Sequence, residues 1–297
     1  MWQQLTSNIQ NGDMRSIARS ISLVENEIDG YDQFMKNLPV AAVPVIGITG
    51  PPGAGKSTLT DALIAQLVQE NKKVAVLCVD PSSPFNAGAL LGDRIRMSAW
   101  YNHPAVFIRS LATRGALGGL HPKIIEITDI LKTCPFDYII VETVGVGQSE
   151  IEIAGLADCT LVVLVPEGGD DIQAMKAGLM EIADIFVVNK ADRPGADLFV
   201  HHLNTLLAPA PAHRNAVPVL KTIASQHTGI TELKTAIENI LQANRNTSKK
   251  YLLLAEKAWR LLQQKHLRHI NKQQMMEMIK KQLDEKTFNL YRFVDTL

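Results

Sequence analysis

Residues 50–58 read Gly-Pro-Pro-Gly-Ala-Gly-Lys-Ser-Thr, which sets Gly50, Gly55, Lys56 and Ser57 in the fixed places of G-x-x-x-x-G-K-[ST]. Such spacing can grip a polyphosphate. Glycines let backbone N–H groups turn inward around a β-phosphate, and a helix starting at the loop's end adds its partial positive charge. Lys56 then bridges the β- and γ-phosphates, and the Ser57 hydroxyl ligates Mg²⁺. The whole segment, Gly50, Pro51, Pro52, Gly53, Ala54, Gly55, Lys56, Ser57 and Thr58, is the expected nucleotide cradle.

A second string, Asn189-Lys190-Ala191-Asp192, follows the apolar run 185–188. It therefore falls at a strand's carboxyl end, where open α/β sheets bind ligands. Asp192 can accept two hydrogen bonds from guanine's ring N–H and exocyclic amine, groups that adenine does not offer in that arrangement, while the Lys190 stem lies along the purine face. The expected nucleotide pair is GTP and GDP.

Three acids end strand-like runs or follow them: Asp80, Asp93 in the segment GDRIRM, and Glu142. An octahedral Mg²⁺ keeps several waters that carboxylates hold from outside, so all three are candidate metal partners beside Ser57. Residues 142–145, Glu-Thr-Val-Gly, correspond to the D-x-x-G loop whose glycine N–H, here that of Gly145, senses a γ-phosphate. The next residue is Val146, where small signalling GTPases carry a water-positioning glutamine. Slow unassisted turnover is expected unless Gln148 or a partner supplies that function. Arg94, Arg96, Arg109 and Arg114 flank the same face and are candidates for meeting phosphate or a partner's acids.

These residues need a scaffold that converges them. Strand-like runs at 43–49, 74–80, 105–110, 138–143, 160–166, 184–189 and 217–223 alternate with helical segments, which demands a mostly parallel sheet covered on both faces. The predicted fold class is a doubly wound α/β domain over residues 41–245. Residues 1–40 read as an extension of two amphipathic helices broken near Asn11-Gly12, with Ile17, Ile21, Val24 and Ile28 on one buried face. Residues 246–297 turn wholly helical, with one stripe at Leu252, Ala255, Trp259 and Leu262 and another at Met275, Met278, Ile279 and Leu283; such stripes can pack back on the domain or against a second copy, and dimerisation is the use we expect for them.

Composition narrows the class. The 297 residues include 30 basic and 30 acidic side chains, so no long-range field exists to draw nucleic acid or a membrane surface, and neither partner is expected. Cys78, Cys134 and Cys159 are widely spaced and the eight histidines show no metal spacing, so buried thiols and surface imidazoles are expected. No secretory segment and no long apolar stretch are evident, and a cytoplasmic location is expected by default.

The runs VDPSSP (79–84), GDRIRM (92–97), RGALGGL (114–120), VETVGVGQSE (141–150), GGDDIQAMKAGLMEIAD (168–184) and NKAD closely resemble the methylmalonyl-CoA mutase-associated GTPases, the MeaB/ArgK family within the SIMIBI class of P-loop NTPases. The resemblance covers residues 5–240. It implies a homodimeric G-protein chaperone that binds an adenosylcobalamin-dependent acyl-CoA mutase and gates cofactor loading and protection by hydrolysing GTP. A cobalamin adenosyltransferase is a further candidate partner. In that family Lys56, Asp80, Asp93 and Glu142 would form the Mg²⁺ and hydrolysis site. The segment 168–176, with Asp170, Asp171 and Lys176, would with Gln148 form a switch reporting to the mutase. The family's base-supporting loop reads Thr-Ser-Ala, whereas here Thr222 precedes Ile223, Ala224 and Ser225, so a backbone N–H rather than a serine hydroxyl is left to meet guanine O6.

Two other functions fit a phosphate loop. A P-loop kinase acting on a small molecule or transport protein has no need of Asp192, and a metal-insertion GTPase would want a Cys/His store that the sequence does not cluster.

Overall fold

The apolar runs become strands of one sheet in this computed structural model, which describes residues 1–80, 97–113, 120–143, 152–166, 177–207, 217–244, 248–267 and 272–296. The strands are β1 (Val45–Thr49), β2 (Val74–Asp80), β3 (Val106–Ala112), β4 (Tyr138–Glu142), β5 (Cys159–Leu164), β6 (Ile185–Val188) and β7 (Val219–Lys221). Their spatial order is β3-β2-β4-β1-β5-β6-β7 and every pairing is parallel. All carboxyl ends therefore share one rim, with β1 in the middle of it. This is the doubly wound α/β architecture that the alternating pattern predicts.

Burial on both faces explains why the strands are apolar without alternation. On one face Ile46, Ile48, Val76, Ile140, Leu161 and Val187 pack under helices α4 (Lys56–Gln69) and α8 (Ile230–Asn244), through Leu59, Leu63, Leu233 and Ile237. On the other, Ala75, Leu77, Phe107, Ile139 and Val141 meet α5 (Ile124–Lys132) and the N-terminal helices, while Val162, Phe186 and Val188 meet α7 (Ala196–Leu207) through Phe199 and Leu203. A short helix, α6 (Ala177–Ile182), precedes β6. Cys78, Cys134 and Cys159 are buried in these layers. Among the described residues no helix is long and apolar enough to cross a membrane.

Three helices rather than two build the N-terminal extension: α1 (Trp2–Gln10), α2 (Met14–Glu25) and α3 (Tyr31–Lys36). The Asp13 carboxylate caps α2 by accepting from the Ser16 N–H at 3.0 Å. Ile17, Ile21 and Val24 then fall on one face and are fully buried, each worth about 1.5–3 kcal/mol over exposure. Ile28, expected on that face, is instead 41% exposed. The helix stops at Glu25, and Glu27 turns to φ 48°, which carries Ile28 off the helical period.

One polar cluster ties α2 to the sheet. Arg109, in mid-β3, donates to Glu25 Oε2 at 2.6 Å and to the Ser22 hydroxyl at 3.0 Å, and His121 Nε2 lies 3.5 Å from Glu25 Oε1. Arg109 thus joins the extension to the domain instead of facing phosphate, contrary to the sequence expectation. Next to it Lys123 pairs with Glu27 at 2.8 Å and Glu126 at 3.1 Å.

The chain divides into two compact units, Met1–Lys250 and Tyr251–Leu297. Helix α9 (Ser248–Leu267) runs into the second, followed by α10 (Lys272–Asp284) and α11 (Leu290–Val294). In this unit Trp259, Leu262, Met278 and Leu283 from the two apolar stripes are exposed.

Candidate nucleotide and hydrolysis site

The central strand hands the chain to the glycine-rich turn. At Gly50 the backbone takes φ 139°, and a Cβ there would collide with the Val163 carbonyl of β5. At Gly55 φ is 85°, and a Cβ would strike the Asn189 amide. These two positions need glycine because strand β5 and the NKAD turn press on the loop. Helix α4 starts at Lys56, so its unpaired N–H groups and positive end face the loop. Lys56 is buried, and its Nζ donates to the carbonyls of Gly50 and Pro51 at 2.9 and 3.0 Å. Pro52, Gly53 and Thr58 are exposed and Ala54 is buried.

Glu142 ends β4 and is only 5% exposed. Its Oε1 accepts from the Ser57 hydroxyl at 2.6 Å, and its Oε2 lies 2.9 Å from the hydroxyl of Thr60, one turn along α4. Beyond it, the Thr143 hydroxyl donates to Thr49 Oγ1 at 2.9 Å, fastening the ends of β4 and β1. Asp80 ends β2, two residues past Cys78, which is the register partner of Glu142. The end of β2 is thus beside Glu142 on the rim. The described side chains of Ser57, Thr60 and Glu142 that meet here offer oxygen donors, a set suited to a hard divalent cation such as Mg²⁺.

The NKAD turn closes the other side. Asn189 is buried, its Nδ2 donates to the Ala54 carbonyl at 3.0 Å, and its Oδ1 accepts from the Thr222 hydroxyl at 3.2 Å and the Ala224 N–H at 3.1 Å. One amide therefore joins the phosphate loop, the base-reading turn and the 222–224 loop. Lys190 adopts φ 55°, uncommon for a residue with a side chain, and its Nζ reaches across to the Gly53 carbonyl at 2.7 Å. Strain of that kind collects at functional turns. Asp192 is exposed, as is Ser225, and Ile223 is half-buried.

The structure thus brings Lys56, Ser57, Glu142, Asn189 and Lys190 into one hydrogen-bonded mesh, with Asp80 on the same rim. Asp93, Gly145, Gln148, Asp170, Asp171 and Lys176 lie outside the described residues, as do Arg94, Arg96, Arg114 and Val146. Sequence reading missed Thr60. The signal was its i, i+3 spacing from Ser57, which puts both hydroxyls on one helix face. The mesh can hold a polyphosphate on Lys56 and the helix end, a divalent cation on oxygen donors, and a purine beside Lys190 and Asp192.

Residues 17–284 match the family model described as methylmalonyl-CoA mutase-associated GTPase MeaB. GTPase ArgK of Escherichia coli is 33% identical over 287 residues, spanning 95% of this chain and 83% of that one. A fused isobutyryl-CoA mutase of Geobacillus kaustophilus is 39% identical over 201 residues, which are 64% of this chain and 18% of that protein. Among solved structures, that of an LAO/AO transport system kinase superposes with a TM-score of 0.69 at 25% identity, covering 99% of this chain and 95% of the other.

Proposed function

This chain belongs to the methylmalonyl-CoA mutase-associated GTPase family MeaB and hydrolyses GTP, and from that premise we propose that hydrolysis gates the loading and protection of adenosylcobalamin in an acyl-CoA mutase. The observation that carries the proposal is the likeness to a protein named a fused isobutyryl-CoA mutase. A GTPase-like stretch in one polypeptide with a mutase has a high effective concentration for it, an arrangement useful when the two act on each other. The client here is a methylmalonyl-CoA mutase or a close relative, and a cobalamin adenosyltransferase is the natural source of the cofactor.

In this reading the loop 50–58 wraps the phosphates, Lys56 turns from the loop carbonyls to the β- and γ-oxygens, and Asp192 reads guanine with Lys190 along its face. Ser57 would hold Mg²⁺ directly, and Asp80, Asp93 and Glu142 would hold its waters. When bound, the ion neutralises charge developing on the phosphates. Gly145 and the segment 168–176, with Gln148, Asp170, Asp171 and Lys176, are the switch elements whose response to the γ-phosphate the mutase senses. The exposed stripes of the second unit support a homodimer, since apolar side chains at this density mark interaction surfaces. A cytoplasmic setting belongs to the same proposal.

The test is a pull-down from the native cell with the chain held by a non-hydrolysable GTP analogue, the bound enzyme being identified by mass. Recovery of an acyl-CoA mutase is the expected result. Transfer of the γ-phosphoryl group to any acceptor but water would favour a kinase instead.

A further inference from the structure

We propose that Thr60 is a positioning residue for GTP hydrolysis: it fixes the Glu142 carboxylate so that one oxygen serves the Ser57 hydroxyl and the metal behind it. The inference rests on the reading that Glu142 serves nucleotide-bound Mg²⁺.

Ser57 and Thr60 stand three residues apart on α4, so their hydroxyls share a face. That face looks at the end of β4, and Glu142 answers with one oxygen for each hydroxyl, at 2.6 and 2.9 Å. Thr60 is fully buried and Glu142 nearly so, which leaves little water to replace either contact. The Thr60 hydroxyl also lies 2.9 Å from the Lys56 carbonyl. It has one proton, and the direction follows from the acceptors. Lys56 O already receives the N–H four residues on within the helix, and a carboxylate draws the stronger, charge-assisted bond. The proton goes to Glu142.

A carboxylate held at one oxygen can swing about its terminal torsion, which is broad for glutamate. Held at both, it has far less freedom to do so. Ser57 carries the hydroxyl that would ligate the cation, so a fixed Glu142 keeps the Ser57 proton directed away and its lone pair toward the metal. Thr60 touches neither nucleotide nor ion in this scheme and acts only through Glu142. Removal of such outer partners costs about 10- to 100-fold in metal affinity or activity.

The experiment measures GTP turnover by the full chain across an Mg²⁺ titration for wild type, Thr60→Val, Thr60→Ser, Thr60→Ala and Glu142→Gln, together with GDP affinity in excess chelator. We expect Thr60→Val to lower kcat or raise the Mg²⁺ midpoint by about tenfold or more. Metal-free GDP binding should stay within about twofold, and Thr60→Ser should restore turnover. Should Thr60→Val not fold, Ser and Ala carry the comparison, since both lose the methyl group and only Ser keeps the hydroxyl. Wild-type turnover and Mg²⁺ midpoint in Thr60→Val, with Glu142→Gln impaired, would overturn the role of Thr60 alone. So would equal loss in the Ser and Ala variants. A silent Glu142→Gln would overturn the metal reading of Glu142 and this inference with it.

Discussion

Asn189 Nδ2 donates to the Ala54 carbonyl at 3.0 Å, a bond that spans 135 positions of sequence and fastens the base-reading turn to the floor of the phosphate loop. Asn189 Oδ1 takes two further donors, from Thr222 and Ala224. Replacement by alanine leaves a buried carbonyl and a buried N–H without this partner, each worth about 1–3 kcal/mol. Asn189→Ala should lower stability by about 2–3 kcal/mol and weaken GDP as well as GTP. Chemical denaturation and calorimetric titration check both.

Asp192, three residues on, is exposed and available to a base. Sites built on such polar pairing discriminate by about 10⁴. Asp192→Ala should therefore collapse the preference for GTP over ATP while the phosphate contacts persist. Unchanged relative affinity in equilibrium competition would remove Asp192 from the base site.

The Glu25–Arg109 pair makes the N-terminal extension part of the domain's stability rather than its chemistry. Glu25 is 8% exposed and Arg109 29%, so the loss on breaking the pair falls below the roughly 3–5 kcal/mol typical of fully buried ones. Glu25→Ala should lower the unfolding free energy by about 2 kcal/mol and leave kcat for GTP within about twofold. Urea unfolding and a turnover assay separate the two effects.

Alkaline pH should loosen the helix layers on both faces of the sheet. Burial pushes the Cys134 thiol up from 9.0 to about 12, and burial followed by the nearby Glu238 carboxylate pushes the Tyr138 phenol up from 10.0 to about 12. Both groups are largely protonated in either state well below pH 9, so they contribute little pH dependence there. Above it the unfolded chain ionises first, and stability falls as pH climbs toward the folded values. Denaturant midpoints should decline between about pH 9 and 12, with a shallower decline in Cys134→Ala. A flat profile across that window would contradict the burial of both groups.

Strand positions were legible because a parallel sheet covered on both faces must be written as apolar runs, and those around Val45, Val74, Ile139 and Ile185 have few alternatives. The cradle was legible because Gly50 and Gly55 sit where strand β5 and the Asn189 amide forbid a side chain. What escaped depends on long-range pairing. Arg109 reads as a phosphate-side cation until α2 is seen to place Glu25 against it, and Ile28 reads as a core residue until Glu27 breaks the helical period. Thr60 escaped for a simpler reason: its i, i+3 spacing from Ser57 puts two hydroxyls on one helix face, but that spacing gains meaning only once the carboxylate they meet is known.

The most direct measurement is steady-state GTP turnover by the full chain alone and with an adenosylcobalamin-dependent acyl-CoA mutase added at stoichiometric concentration. With valine rather than glutamine after Gly145, the predicted result is slow hydrolysis alone and acceleration of at least about tenfold with the mutase, phosphate passing only to water. Brisk hydrolysis without any partner, unchanged by the mutase, would contradict it.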